Sequence, residues 1–205
     1  MTLDRPTLPQ TIPTERIIMV ARGYGADVLA EAAHVAAAAG FHVVEVTLDS
    51  PSALGSIAQL GQDDALLVGA GTVHSPAQVY EAVAAGARFI VTPTLEEDVI
   101  AACLAADVPC IAGAFTPSEI ARAWRLGASA VKVFPAGALG PQYLKALQGP
   151  LGDIPLIPTG QITGDQVPNY LDAGAVAVGL GGWLPLHALA RLEQRCLHLA
   201  QLTND

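Results

Sequence analysis

Eight short apolar runs recur along the chain, separated by longer alanine-rich segments, and this alternation limits the folds open to it. The runs are RIIMVAR (16–22), HVVEVTL (42–48), ALLVGAG (65–71), RFIVTP (88–93), VPCIAGA (108–114), ASAVKVFP (128–135), IPLIPTG (154–160) and AVAVGLG (175–181). Segments between them, such as ADVLAEAAHVAAAAG and PAQVYEAVAAGA, space their apolar residues as helices do and end near a glycine. AAGF, AAGA, RLGA and DAGA each precede a run and read as a helix C-cap followed by entry into a strand. Strand and helix alternating eight times predict an α/β fold, a single-domain (β/α)8 TIM barrel over residues 1–205, with 1–15 as an N-terminal extension. The alternative, an open doubly wound sheet, would want GxGxxG after its first strand, and VARGYGAD does not supply it.

The chain is 52% hydrophobic and 14% charged, enough for a sizeable core, and no stretch reads as a linker. A formal charge of −9 argues against nucleic acid or an anionic membrane surface as partner. Any attraction for an anionic substrate must be local. Cys103, Cys110 and Cys196 have no metal-type spacing and read as small core residues of a reducing compartment. The opening residues lack the pattern of a signal peptide, and no apolar run is long enough to span a bilayer. The expectation is a cytoplasmic protein that acts on a small molecule.

Against this background Lys132 stands out: one of two lysines in the chain, it sits inside an apolar run that reads as a buried strand. Burying an amine is costly, so either its stem snorkels to water at an edge or it is kept dry as a nucleophile. In a (β/α)8 barrel the site lies at the carboxyl ends of the strands. Arg22, Glu45, Thr47, Thr72, Thr92, Pro93, Thr116 and Thr159 fall at or near those ends. Glu45 lies between Val44 and Val46, where a strand covered on both faces has little room for an unused carboxylate. Thr72, Thr116 and Thr159 also suit helix caps or turns, and Arg22 suits a structural ion pair with Glu45.

The chemistry open to these residues is specific. An amine walled by Val131, Val133 and Phe134 is shielded from water, which favours its neutral form, and a neutral amine attacks a ketone to form a Schiff base. The resulting electron sink makes or breaks the adjacent C–C bond. Glu45 would move protons as general acid/base, and an arginine with a threonine would hold a carboxylate beside the ketone. A metal-dependent route lacks its ligand cluster: His34 and His198 fall in helices, His42 starts a strand, and His74 and His187 are isolated. No Ser/His/Asp grouping or GxSxG is present.

VVEVTLDSP, VGAGTV, FIVTP, VKVFPAGALGPQYLKAL and PTGQIT, in order from about residue 16 to 184, resemble the class I pyruvate-dependent aldolases. That family cleaves 2-keto-3-deoxy-6-phosphogluconate, 4-hydroxy-2-oxoglutarate or the 6-phosphogalactonate analogue. The resemblance implies Lys132 as the Schiff-base lysine, Glu45 as acid/base, and Arg22 and Thr72 as pyruvyl contacts, with Pro93 and Thr159 also at the substrate. It implies a homotrimer and neither metal nor organic cofactor.

Several positions depart from the family pattern. The phosphogluconate branch has an arginine after EVTL, where this chain has Asp49; the phosphogalactonate branch also lacks it and shares GPQY, Gly140 to Tyr143. Thr159 matches the phosphogluconate type, so the substrate branch stays open. At the expected phosphate end, PTGQ brings Gly160 and Gln161, and LGGW brings Gly181 and Gly182, where relatives read PTGG and GGS. A lost serine hydroxyl removes one donor, roughly 1–2 kcal/mol. Gln161 matters more if its position needs positive φ. The expected function is therefore a pyruvate aldolase with weakened phosphate preference. The alternatives are a phosphate-binding barrel synthase or isomerase, such as a thiamine-phosphate synthase, and a non-catalytic degenerate barrel.

Overall fold

In the computed structural model, which describes residues 4–203, the recurring glycines Gly40, Gly86, Gly127 and Gly174 all have φ between 91° and 105°. At Gly40 the glycine N–H bonds the carbonyl three residues back (2.9 Å) and the N–H of Phe41 the carbonyl five back (3.0 Å). The same pair of bonds closes the helices at Gly86, Gly127 and Gly174. A left-handed residue that caps the last carbonyls stops each helix and turns the chain into the next strand.

The helices are α1 (Thr11–Glu15), α2 (Ala26–Ala38), α3 (Ala53–Leu60), α4 (Pro76–Ala84), α5 (Glu97–Ala105), α6 (Pro117–Leu126), α7 (Pro141–Leu151), α8 (Val167–Asp172) and α9 (Leu189–Thr203). The strands are β1 (Ile17–Ala21), β2 (Val43–Thr47), β3 (Leu67–Gly71), β4 (Ile90–Val91), β5 (Cys110–Ala114), β6 (Ala130–Val133), β7 (Leu156–Pro158) and β8 (Val178–Leu180), each inside one of the eight runs. All pair in parallel in the order β7-β6-β5-β4-β3-β2-β1-β8, and a bridge between Thr159 and Gly179 closes the ring. This is a (β/α)8 barrel.

Inward-facing positions alternate along each strand, and the register stacks them in layers drawn from alternate strands. From the base upward the layers are Val43, Phe89, Ala130, Ala177; Ile18, Gly69, Ile111, Ile157; Glu45, Val91, Lys132, Gly179; and Val20, Gly71, Gly113, Thr159. Apolar side chains fill the lower two layers, while a larger apolar cluster occupies the annulus between strands and helices. Val131 and Val133 belong to the annulus. They do not wall Lys132 as expected, because neighbours in a strand point to opposite faces.

The segment expected as an N-terminal extension (1–15) is described from residue 4, and it closes the base. Ile12 of α1 is fully buried in the interior cluster, with Leu8 packed against it. Glu15 accepts the His42 N–H (2.6 Å) and fixes α1 under β2. Arg5 lies 3.5 Å from the ring centroid of Trp124 and donates to the Ala128 carbonyl. No described helix is long and apolar enough to cross a membrane.

Candidate active site

The third interior layer is the first to carry polar side chains. Glu45 and Lys132 are 2% and 5% exposed, and Glu45 Oε1 accepts from Lys132 Nζ at 3.5 Å. The other two members of the layer, Val91 and Gly179, add little bulk, so the pair faces across an open centre. Lys132 Nζ also lies 5.5 Å from the centroid of the Phe134 ring, the aromatic wall expected from the sequence. Above the amine opens a cavity of about 560 Å³ at the carboxyl ends of the strands. Arg22, Thr72, Pro93, Thr159, Gly160, Gln161, Gly181 and Gly182 line it, with Lys132 at its floor.

Arg22 does not pair with Glu45. Its guanidinium reaches across the rim to Asp49 and donates to Thr72 Oγ1 at 2.9 Å. Asp49, on the loop after β2, is nearer than Glu45, four residues earlier and inside the strand, which Lys132 already occupies. Thr72 holds φ at 58°, an uncommon and strained conformation for a β-branched residue. Ser75, not Thr72, caps α4.

The remaining threonines separate by role. Thr116 is a helix cap, in a capping box with Glu119. Bonds to its N–H, to the Phe115 N–H and to its hydroxyl hold the Glu119 carboxyl below its ordinary range. Thr47 bonds Ser50 Oγ at 3.0 Å, and Ser50 accepts the Gly23 N–H, so these residues brace the loops around Arg22. Thr92 Oγ1 accepts from the Gly113 N–H and donates to the Thr94 carbonyl. Thr159 is buried beside Gly179, where a Cβ would lie 2.3 Å from its Oγ1.

The loops expected at the distal end form one wall. Gln161 has φ of 57°, a conformation glycine takes at no steric cost, and Gly182 faces open space. Tyr24 also lines the cavity, and its ring stacks on His187 with centroids 6.2 Å apart. Sequence reasoning did not assign Tyr24, Val20 or Ile162 to the site. The only available signal was Tyr24's place two residues after Arg22. His74 is not among the residues lining the cavity and lies 3.4 Å from Glu96. Among the described residues no three His, Cys, Asp or Glu side chains are placed to share a metal ion.

A buried lysine facing a carboxylate beneath an open cavity, at the carboxyl end of a (β/α)8 barrel, defines an enzyme equipped for carbonyl chemistry. Comparison with known proteins gives the particular family. The sequence model of the KDPG and KHG aldolases matches residues 9–194. The 2-dehydro-3-deoxy-6-phosphogalactonate aldolase of Escherichia coli K12 is 39% identical over 154 residues, 73% of this chain and 75% of that one. A native KDPGal structure superposes with a TM-score of 0.87 at 33% identity, covering 92% of this chain and 94% of the other. A KDPG aldolase from Legionella pneumophila, with pyruvate captured as a covalent carbinolamine, has a TM-score of 0.81 at 31% identity and covers 94% of each chain. The chain belongs to the KDPG and KHG aldolase family. It is an aldolase, a carbon–carbon lyase, and the reading as a phosphate-barrel synthase or isomerase gives way to that.

Proposed function

We propose that the protein is a class I aldolase that cleaves a 2-keto-3-deoxy sugar acid, or 4-hydroxy-2-oxoglutarate, to pyruvate and an aldehyde. The observation that carries this is the 3.5 Å approach of Lys132 Nζ to Glu45, both buried, at the floor of the cavity. Lys132 attacks the C2 ketone, and loss of water leaves an iminium. Glu45 takes the proton of the C4 hydroxyl as the C3–C4 bond breaks and the aldehyde leaves. The bonding electrons enter the iminium to form an enamine, which is reprotonated at C3. Hydrolysis then frees pyruvate and the lysine. Arg22 and Thr72, already hydrogen-bonded to each other, hold the carboxylate. Pro93 and Thr159 shape the floor around the ketone, and residues 160–161 and 181–182 meet the aldehyde half.

The carbinolamine named for the Legionella relative supports this chemistry. The subunit is inferred to act as a homotrimer without metal or organic cofactor. A porous cage designed by fusing symmetric oligomeric domains resembles this chain, with a TM-score of 0.87 at 32% identity, which supports a homo-oligomer. Three buried free cysteines suit the cytoplasm.

The test is intact-protein mass after borohydride reduction with pyruvate. A pyruvyl adduct on wild type and none on Lys132→Ala is expected. No adduct on wild type at saturating pyruvate overturns the proposal and favours a non-catalytic barrel. Light scattering of the purified protein checks the trimer.

A further inference from the structure

Two loops meet at the far wall of the cavity, and one ring joins them. Gly160, Gln161 and Ile162 line the cavity from the loop after β7, and Gly181 and Gly182 from the loop after β8. The first loop is anchored on its β6 side. There the Ala136 N–H donates to the Thr159 carbonyl (2.8 Å) and the Gly137 N–H to the Gly160 carbonyl (2.9 Å). The second loop turns tightly, with the Leu184 N–H donating to the Gly181 carbonyl (2.8 Å). Trp183, inside that turn, reaches the first loop. Its ring fills the place a side chain would take at Gly164, where a Cβ would lie 2.6 Å from Trp183 Cζ2.

Helix α9 holds both partners of this contact. The Arg195 guanidinium lies 4.7 Å from the centroid of the Trp183 ring, where a cation is attracted to the aromatic face. His198 Nε2 lies 2.8 Å from Oδ1 of Asp165, the neighbour of Gly164. Residues three apart share a helix face, so one face of α9 grips the loop after β8 through Trp183 and the loop after β7 through Asp165. Gly181 and Gly182 have no side chains with which to set their distance from Gln161. The indole sets it for them.

We propose that Trp183 is a positioning residue: pinned by Arg195 against Gly164, its ring fixes the gap between the loops after β7 and β8 that receives the aldehyde half of the substrate. This rests on the aldolase reading of Lys132 and deepens it. Trp183 is not among the residues lining the cavity, so it acts through the backbone of Gly181 and Gly182 and touches no reacting atom. A gap held open by a packed ring has little freedom left to lose when the substrate enters. The ring therefore contributes to binding of the aldehyde half, and the chemistry at Lys132 proceeds without it.

The experiment compares Trp183→Leu, Trp183→Phe and Gly164→Ala with wild type. The substrate is whichever of 2-keto-3-deoxy-6-phosphogluconate, its phosphogalactonate analogue and 4-hydroxy-2-oxoglutarate the wild type cleaves best. Exchange of the pyruvate methyl protons, which involves no aldehyde, is measured beside it. Trp183 is a part-exposed loop residue, so its variants keep the fold and decide the matter even where Gly164→Ala does not. Trp183→Leu is expected to raise KM about tenfold, with kcat and the exchange rate within about twofold of wild type. Trp183→Phe keeps an aromatic face for Arg195 and should recover most of the loss. Gly164→Ala displaces the ring from the opposite loop and should raise KM in the same way. An unchanged KM in Trp183→Leu overturns the proposal, as does a phenylalanine variant no better than the leucine one. Pyruvate exchange that falls in step with cleavage overturns it too, since that is what general loosening of the barrel would do. Absence of a pyruvate adduct in wild type, or of cleavage of all three acids, would instead remove the aldolase reading on which it rests.

Discussion

Gly71 stands directly over Glu45: a Cβ on Gly71 would lie 2.1 Å from Glu45 Oε1, the oxygen that faces Lys132. The carboxylate reaches its partner through space that the glycine leaves empty. The geometry of the Glu45–Lys132 pair therefore depends on two strands, β2 for the carboxylate and β3 for the vacancy beside it.

Gly71→Ala is expected to remain folded, displace Glu45 and destabilise the protein by about 1–3 kcal/mol through overpacking. Exchange of the pyruvate methyl protons should slow, while borohydride still traps the imine. Thermal unfolding and proton NMR of pyruvate in deuterated buffer measure both effects.

Glu45→Gln removes the proposed proton carrier without removing the amine. Imine trapping should persist, and methyl-proton exchange should fall by roughly 10²–10⁴-fold. Exchange at the wild-type rate would show that another group moves the proton.

Thr72→Gly separates strain from function. Relief of the positive φ should raise stability by about 1 kcal/mol, or about 2–4 °C in Tm for a domain of this size. Loss of the hydroxyl that accepts from Arg22 should raise KM for the 2-keto acid. A variant that is both less stable and unchanged in KM would contradict the assignment of Thr72.

Cys196 gives a pH signature. Burial pushes its thiol up to about 11. Below about pH 9 the thiol is protonated in the folded and unfolded chains alike, so pH has no effect through this group. Between about 9 and 11 the unfolded chain releases the proton and the folded one does not, so stability falls with rising pH, by about 3 kcal/mol at most. Denaturant melts across this range should show a shallower decline in Cys196→Ala.

Much of this was legible in the sequence because it depends on local pattern. The eight runs and their C-cap glycines are set by neighbours within a few residues, and all eight became strands. Lys132 and Glu45 were visible because a charge inside an apolar run has few structural uses. Relations set by strand tilt and loop packing were not visible. Arg22 meets Asp49 rather than Glu45 because side-chain reach across the rim decides the pairing. Val131 and Val133 point away from Lys132 because sequence adjacency in a strand means opposite faces. The positive φ of Thr72 has no compositional mark. Tyr24 and His187 lie 163 positions apart and meet only when the ring closes. The plugging role of Ile12 likewise depends on where α1 lands beneath β2.

Ile12 and the two apolar layers above it make the barrel a cul-de-sac with one mouth. On the Schiff-base chemistry proposed above, the guest joined to Lys132 is the innermost. In cleavage the aldehyde lies between that guest and solvent, so it departs first and pyruvate second. In condensation the queue reverses, and pyruvate enters before the aldehyde. A plug at the opposite end of the molecule thus leaves the ligands one route in and out, past the mouth above Lys132.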